Sequence, residues 1–325
     1  MEARDSNSIL SQFLSAKSIA GLFISFICLY FVYINFDSDN FINEILNLNY
    51  SYLFLSFFTL FLTLIIRAIR WKQIFNSEDI KIYDLYRSEV LGFWGNSIFP
   101  LKIGELIKIH YAKVLTLKKY SFVLGTIIIE RLVDFFLISP FIFLLYIFFP
   151  VNFILDKINF FVIMILLIIA FLILYKYFLH SFREKVIRSI DGGLFKSFFK
   201  NKNLILFSTC ILWTLIFLDV YFIQAAMSLK LSFFECFSIM LVGTIIYIIP
   251  SSPGTFGTFH LAIQEFMVNF LDKPEMASKT FAFILHAHSY IFFIGLGTYY
   301  FIKDSKKILS FRKSILWLQS HLPKD

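Results

Sequence analysis

Three ionisable residues stand where hydrocarbon is expected. Glu130, Arg131 and Asp134 lie inside an apolar stretch that runs from about 122 to 149. A charge in hydrocarbon is costly, so such groups turn toward a polar interior or a water-filled path. Glu130 and Asp134 are four positions apart and share one helix face. Arg131 stands beside them, its fork within reach of either carboxylate. At 1.5 Å per residue from the start near Ser121, Glu130 lies about 13 Å deep, close to the bilayer midplane. Two readings are open: a charge relay or gate beside a headgroup path, and a self-neutralising ion cluster that locks helices together.

A second group surrounds Pro100. Asn96 precedes it, and Lys102, Gly104, Glu105 and Lys108 follow. Glu105 and Lys108 are three apart and fall on one face of the next helix. A half-helix starting near Pro100 would aim free N–H groups and the positive end of its dipole at the break. Lysines beside such a terminus suit a phosphate. Arg67 and Arg70 end the preceding span and would add positive charge, although Arg70 followed by Trp71 is also ordinary interfacial anchoring.

A third group is Pro250-Ser251-Ser252-Pro253-Gly254-Thr255-Phe256-Gly257, with His260 and Glu265 on the next helical stretch. The serines and Thr255 can satisfy backbone groups freed by the break, and cavity water the rest. His286 and His288, in the last span, are two apart and point to different faces. That spacing disfavours a shared metal, and a lone helical histidine is most often a packing residue. Either could titrate near neutral pH. Asp219, near the end of its span, reads as an interfacial residue.

The elements carrying these groups repeat. From Gly92 to Pro100, and again from Gly243 to Pro250, the chain runs apolar from a glycine to a proline and places a glycine four residues beyond it. Each broken segment (84–114 and 233–271) is followed by a long apolar span. Paired Gly/Pro-interrupted segments at matching places in two halves point to a transport site within a membrane.

The expected fold is an all-α polytopic membrane protein. Full spans are predicted at about 18–36, 50–69, 122–149, 158–178, 203–224 and 279–302, with two re-entrant broken-helix segments of inverted topology. The whole chain, 1–325, forms one integral membrane domain. Its halves are roughly 50–149 and 203–302, joined through a cytoplasmic linker at 179–202.

Composition sets the same bounds. The 325 residues are 58% hydrophobic with mean hydropathy +0.76, which no soluble protein of this length needs. The net charge of +8 would suggest nucleic acid in a soluble chain. Here the basic residues sit between spans and set topology. With cytoplasmic termini, the layout places 25 of the 30 Lys and Arg on the cytoplasmic side. The stretch before Asp37-Ser38-Asp39 has no small-residue cleavage site and reads as an uncleaved first span. Cys28, Cys210 and Cys236 have no metal-binding spacing. No nucleotide-binding, nucleophile-elbow or zinc signature appears, and no polar connection is long enough for a soluble catalytic domain.

The motifs together resemble a flippase-like family, named after the transmembrane region of lysylphosphatidylglycerol synthase. Its members have an Arg-Trp pair ending an early span, here Arg70-Trp71. They have Asn followed by Pro-x-Arg-x-Gly-Glu-x-x-Arg, here Asn96 and Pro100-Leu-Lys102-Ile-Gly104-Glu105-Leu-Ile-Lys108. They have Glu-Arg-x-x-Asp, here Glu130-Arg131-Leu-Val-Asp134, and Pro-x-x-Pro-Gly-x-x-Gly, here from Pro250 to Gly257. Both motif arginines are lysines in this chain, which keeps charge and loses the bidentate fork. A glutamate common after the late glycines is His260.

The resemblance implies a lipid-translocating module, without the synthase's soluble catalytic domain. The expectation is a flippase in a bacterial inner membrane, not an enzyme, moving a phosphate-bearing lipid. Arg70, Asn96, Pro100, Lys102, Gly104, Glu105, Lys108, Pro250, Pro253, Gly254, Gly257 and His260 would line the substrate path. Glu130, Arg131 and Asp134 would gate it or relay charge. No cofactor, metal or nucleic acid is called for. A separately encoded lipid-modifying enzyme or glycosyltransferase is the partner that fits. Two alternatives stand. One is an integral-membrane glycosyltransferase using Asp37 and Asp39. The other is a carrier for a small solute.

Overall fold

The computed structural model describes residues 16–34, 36–99, 102–148, 193–248 and 252–304. Regular structure there is helical throughout: α1 (Ala16–Tyr33), α2 (Ser38–Leu46), α3 (Tyr50–Phe75), α4 (Ile82–Ile98), α5 (Ile103–Thr116), α6 (Tyr120–Phe148), α7 (Gly193–Ala226), α8 (Phe233–Ile248), α9 (Thr258–Leu271) and α10 (Glu275–Lys303), with a 3-10 turn at Pro253–Thr255. Stretches within α3, α7 and α10 are long and apolar enough to cross a membrane. The 29-residue α6 matches α10 in length but carries Glu130, Arg131 and Asp134. The chain is a multi-pass membrane protein.

Element boundaries depart from the expected spans in one consistent way. Helix α3 continues to Phe75, past the expected end at 69, so Arg70 and Trp71 are helical and buried within the bundle. Helix α7 begins at Gly193, so the last part of the expected 179–202 linker is helix. Hydropathy marks only the part of a helix that meets hydrocarbon, whereas lysines and glutamines extend helices well beyond it. The span expected at 158–178, and positions 179–192, lie outside the described residues.

Helices α3 and α7 form the central pair and run antiparallel along their whole length. Asn201 meets Asn76 and Gln73, Ser208 meets Gln73, Thr209 meets Arg70, and Asp219 meets Ser56 and Thr59. At the far end the Asn49 amide donates to the Ala226 carbonyl at 2.9 Å. The other helices pack around this pair in a matched pattern. Helix α4 packs on α3, α5 and α10; helix α8 packs on α7, α9 and α6. Helix α4 also touches the turn at Pro253–Thr255, and Lys102 donates to the carbonyl of Tyr247 at the end of α8. The two breaks in the chain therefore meet.

The α4–α5 hairpin closes on glycine. A Cβ on Gly104 would overlap the Gly92 carbonyl oxygen and the Asn96 backbone nitrogen, and one on Gly95 would sit 2.7 Å from the Gly104 Cα. The backbones thus touch without a side-chain layer between them, as in small-residue packing elsewhere in membranes. The second break turns at Gly254 (φ 63°) and Gly257 (φ 82°), left-handed positions that glycine adopts without a Cβ penalty. His260 then accepts the Gly257 N–H through Nδ1 at 3.3 Å and caps α9. Helix α1 packs on α9, and the Ser252 amide donates to Ser25 Oγ at 3.3 Å.

Polar clamps fix the outer ends of both hairpins. Arg87 on α4 donates to Asp84 at 2.6 Å and to Asp304, after α10, at 2.7 Å, while the Tyr111 hydroxyl on α5 donates to the same Asp304 oxygen. In the other half, Glu235 pairs with Lys273 at 2.7 Å. Ser232 and Glu235 also cap α8 reciprocally.

Gly104→Val is expected to lower stability by about 3 kcal/mol or more, because neither backbone can retreat without breaking helix packing. Gly295→Ala meets no atom within 4 Å and is expected to be neutral or stabilising by up to about 1 kcal/mol. Thermal unfolding of the two purified variants in detergent checks both.

Candidate functional site

Where α3, α4, α5, α6 and α7 converge, eight charged side chains gather. Arg70, from the last turns of α3, is fully buried and grips Asp134 with both guanidinium nitrogens, at 2.5 and 3.1 Å. It also reaches Glu130 at 3.4 Å and Thr209 of α7 at 3.3 Å. Trp213, one turn further along α7, donates to Asp134 at 3.3 Å. Lys108 on α5 bonds Glu130 Oε2 at 3.1 Å and lies 2.7 Å from Glu89 Oε1 on α4, off the direction a hydrogen bond requires. Its ammonium sits 4.3 Å from the centre of the Trp71 ring, whose N–H is held by Thr126 at 2.8 Å.

Toward the break the cluster opens. Arg131 pairs with Glu105 at 2.8 Å, and half of its side-chain surface is accessible. Lys102 is exposed at the N-cap of α5, just after the break, in a left-handed conformation (φ 56°). Arg131 and Lys102 are both exposed beside Glu105, so the cluster has an open cationic edge. Arg67, one turn before Arg70, has no carboxylate within ion-pair distance among the described residues. Its guanidinium lies 5.2 Å from the centre of the Phe93 ring, and its Nε is buried without an acceptor.

Charge balances inside this group. Arg67, Arg70, Lys108 and Arg131 face Glu89, Glu105, Glu130 and Asp134, leaving Lys102 at the rim as the surplus cation. A buried ion group is tolerated when its charges are paired and hydrogen-bonded, and here the two innermost cations each contact two carboxylates.

The structure brings the sequence-derived residues together unevenly. Arg70, Lys108, Glu130 and Asp134 are interlocked, the first three fully buried and Asp134 largely so. Lys102, Glu105 and Arg131 form the open edge. Gly104 and Asn96 lie in the glycine seam, with Asn96 Oδ1 buried and unpaired. Pro253, Gly254 and Gly257 shape the second break, where His260 acts as the α9 cap. Pro100 and Pro250 lie outside the described residues. His286 bonds the Gly254 carbonyl through Nε2 at 2.6 Å, while His288 turns the other way, to Asp219.

Two residues outside the sequence-derived set belong here, and a third, Asp219, proves buried elsewhere in the bundle. Glu89 is an ionisable residue in the first broken segment, and that position was a signal for it. Arg67 was visible as the second arginine of Arg67-x-x-Arg70, and only the paired geometry of Arg70 tells the two apart. Asp219, read from sequence as interfacial, is buried at 8% exposure and hydrogen-bonded on several sides. Helices α3 and α10 pack over that end of α7 and put it inside. Asp37, by contrast, caps α2, accepting from the amides of Asp39 and Asn40 at 3.1 and 3.0 Å.

Arg70→Met is expected to lose about 3–5 kcal/mol, because Asp134 and Glu130 would be left as uncompensated buried charges. Arg131→Gln, at a half-open site, is expected to lose about 1 kcal/mol or less. Thermal unfolding of the two variants under identical detergent conditions separates the cases.

A family model described as "Lysylphosphatidylglycerol synthase TM region" matches residues 18–297. No curated protein and no solved structure matches the chain. The matched region runs from α1 through α10 and includes both breaks and the whole ion cluster, so the chain belongs to the lysylphosphatidylglycerol synthase transmembrane-region family.

Proposed function

We propose that this protein is a lipid flippase of a bacterial inner membrane, moving a lipid with a phosphate-bearing headgroup. The observation that carries the reading is the open cationic wall where the two breaks meet. Arg131 and Lys102 present positive charge at the open edge, and Lys102 is the surplus cation of an otherwise balanced group. Arg67 has no carboxylate within ion-pair distance among the described residues, and Lys102 is held in a strained left-handed conformation at the rim. Such strain tends to gather at ligand clamps. Arginine forks match phosphate oxygens in pairs.

The helix lengths support a re-entrant layout. Helices α4, α5, α8 and α9 have 17, 14, 16 and 14 residues. At 1.5 Å per residue they reach roughly 21–26 Å, short of the ~30 Å hydrocarbon core. Hairpins of this kind would enter and leave on one side. The matched packing of α3–α6 and α7–α10 fits two inverted halves, roughly 50–149 and 203–302, with both termini cytoplasmic. The lipid's tails would stay in the bilayer while its headgroup follows the groove between the breaks. Glu105 would release Arg131 to the incoming phosphate, and the interlocked Arg70, Glu130, Asp134 and Lys108 would hold the wall in place.

The test is reconstitution into liposomes carrying fluorescent NBD-phosphatidylglycerol, with dithionite reporting how much probe crosses the bilayer. Wild type is expected to speed crossing. Arg67→Gln, Lys102→Ala and Glu130→Gln are each expected to slow it about tenfold or more, the equivalent of one charge-assisted hydrogen bond. Unchanged rates in all three folded variants would remove this wall from the path. Suppression of crossing by millimolar inorganic phosphate, with phosphate itself entering the liposomes, would point instead to a solute carrier.

A further inference from the structure

A second polar cluster lies on the same α3–α7 pair, away from the proposed headgroup path. Asp219 on α7 accepts a hydrogen bond from Ser56 Oγ at 2.5 Å and a longer one from Thr59 Oγ1 at 3.4 Å, both on α3. His288 on α10 places Nε2 3.0 Å from the same carboxylate oxygen and Nδ1 3.0 Å from the Ile284 carbonyl. Ser56 and Thr59 are buried, as are Asp219 and His288, and Phe57 meets the His288 ring edge-on at 5.7 Å. Ser56 is 14 residues from Arg70, so the two clusters stand about 21 Å apart along α3.

The two clusters share a plan. In the first, α3 supplies Arg70, α7 supplies Thr209 and the last span of the half supplies Asp134. In the second, α7 supplies Asp219, α3 supplies Thr59 and the last span of the other half supplies His288. Shifts of about 150 positions relate the members of each set, the shift that also relates the two breaks. One pair is permanently charged, because arginine does not lose its proton in a protein. The other contains the one side chain whose ordinary titration lies near neutral pH.

We infer that the Asp219–His288 pair is a proton-binding site that couples the packing of α3, α7 and α10 to pH. Both ring nitrogens of His288 face oxygen acceptors, the arrangement an imidazolium satisfies with two N–H donors. In that state the pair is ionic and neutral overall, and it can stay sealed. When His288 gives its Nδ1 proton to water, the Nε2–H still bonds Asp219 but the pair carries one net negative charge. An uncompensated charge is costly in a dry interior, so the deprotonated state favours an arrangement that admits water between α3, α7 and α10. The proton comes from water and returns to water, and no electrons move.

Among the described residues, few other titratable groups face the pair. Tyr247 of α8 lies within electrostatic reach of Asp219. His286 is two residues along α10 and turns to the Gly254 carbonyl, with His260 of α9 packed against it at 4.8 Å. From α3 the neighbours are Ser56, Thr59 and Phe57.

The link from this site to lipid movement rests on the flippase reading, and two measurements keep them apart. Histidine-selective 13C and 15N NMR of the full chain reads protonation directly, with the His288 signal identified by its loss in His288→Asn. A signal passing from imidazolium to imidazole between about pH 5 and pH 8 is expected. A signal fixed in one form over that range would overturn the proposal. The second measurement is NBD-phosphatidylglycerol crossing with and without a pH gradient. Wild type is expected to change rate about tenfold or more with the gradient. The Asp219→Asn/His288→Asn double variant, which keeps a neutral hydrogen-bonded pair and hence the fold, is expected to cross lipid at one rate in both conditions. A double variant responding as wild type does would overturn the coupling. If no protein moves lipid, the flippase reading fails and the NMR titration still decides the proton site.

Discussion

The grip of Arg70 on Asp134 is the constraint around which the rest is arranged. A guanidinium with no accessible surface must be neutralised at close range, so Asp134 has to arrive from α6 in one rotational setting. That setting carries Glu130 to the same side and Arg131 to the rim, since the three share one helix. Glu130 then requires a second cation, which Lys108 supplies from α5, and Lys108 in turn draws in Glu89 from α4. A single buried cation thereby fixes the relative rotation of four helices, with Thr209 and Trp213 of α7 completing the shell. Apolar packing cannot do this in a bilayer, where one greasy face competes with lipid as well as any other.

The matched packing of the two groups of helices gives this arrangement a counterpart. The same element pairs that meet around Arg70 meet around Asp219, with acid and base exchanged between the partners. One cluster therefore holds its charge at every physiological pH, and the other contains a group that need not. A molecule whose two ends are built alike but respond differently to protons has a built-in direction. That asymmetry arises from the choice of base, histidine in one cluster and arginine in the other.

Much of the fold was legible in the sequence, because spans in a membrane announce themselves by composition. The helices at 50–75, 120–148 and 275–303 appear close to where the apolar runs place them. The short helices around each break follow from proline and glycine spacing. What hydropathy could not give was the true length of α3 and α7, since their polar ends look like loops to an apolar window. The site was half legible. Glu130, Arg131 and Asp134 were found because a charge in a greasy run is conspicuous, and Lys102 and Lys108 because they flank a break. The division of labour among them was not, since a sequence does not show which cation is already spoken for. The Arg70-Trp71 motif singles out Arg70 and leaves Arg67 as a neighbouring charge, with nothing to say which of the two is paired. Contacts across the bundle separate them, and the same contacts turn Asp219 from an interfacial residue into a buried partner of His288.

The glycine seam of the α4–α5 hairpin has a mechanical meaning. Most helix pairs are held apart by interleaved side chains that can change rotamer, so they shear and twist against each other by small steps. Gly92, Gly95 and Gly104 leave no such layer. The two helices behave as one beam, stiff along its length, with compliance confined to its ends. Those ends are the break beside Lys102 and the Arg87–Asp304–Tyr111 clamp. A load applied at the clamp would be delivered at the break almost undiminished, 11 residues of helix away from Arg87.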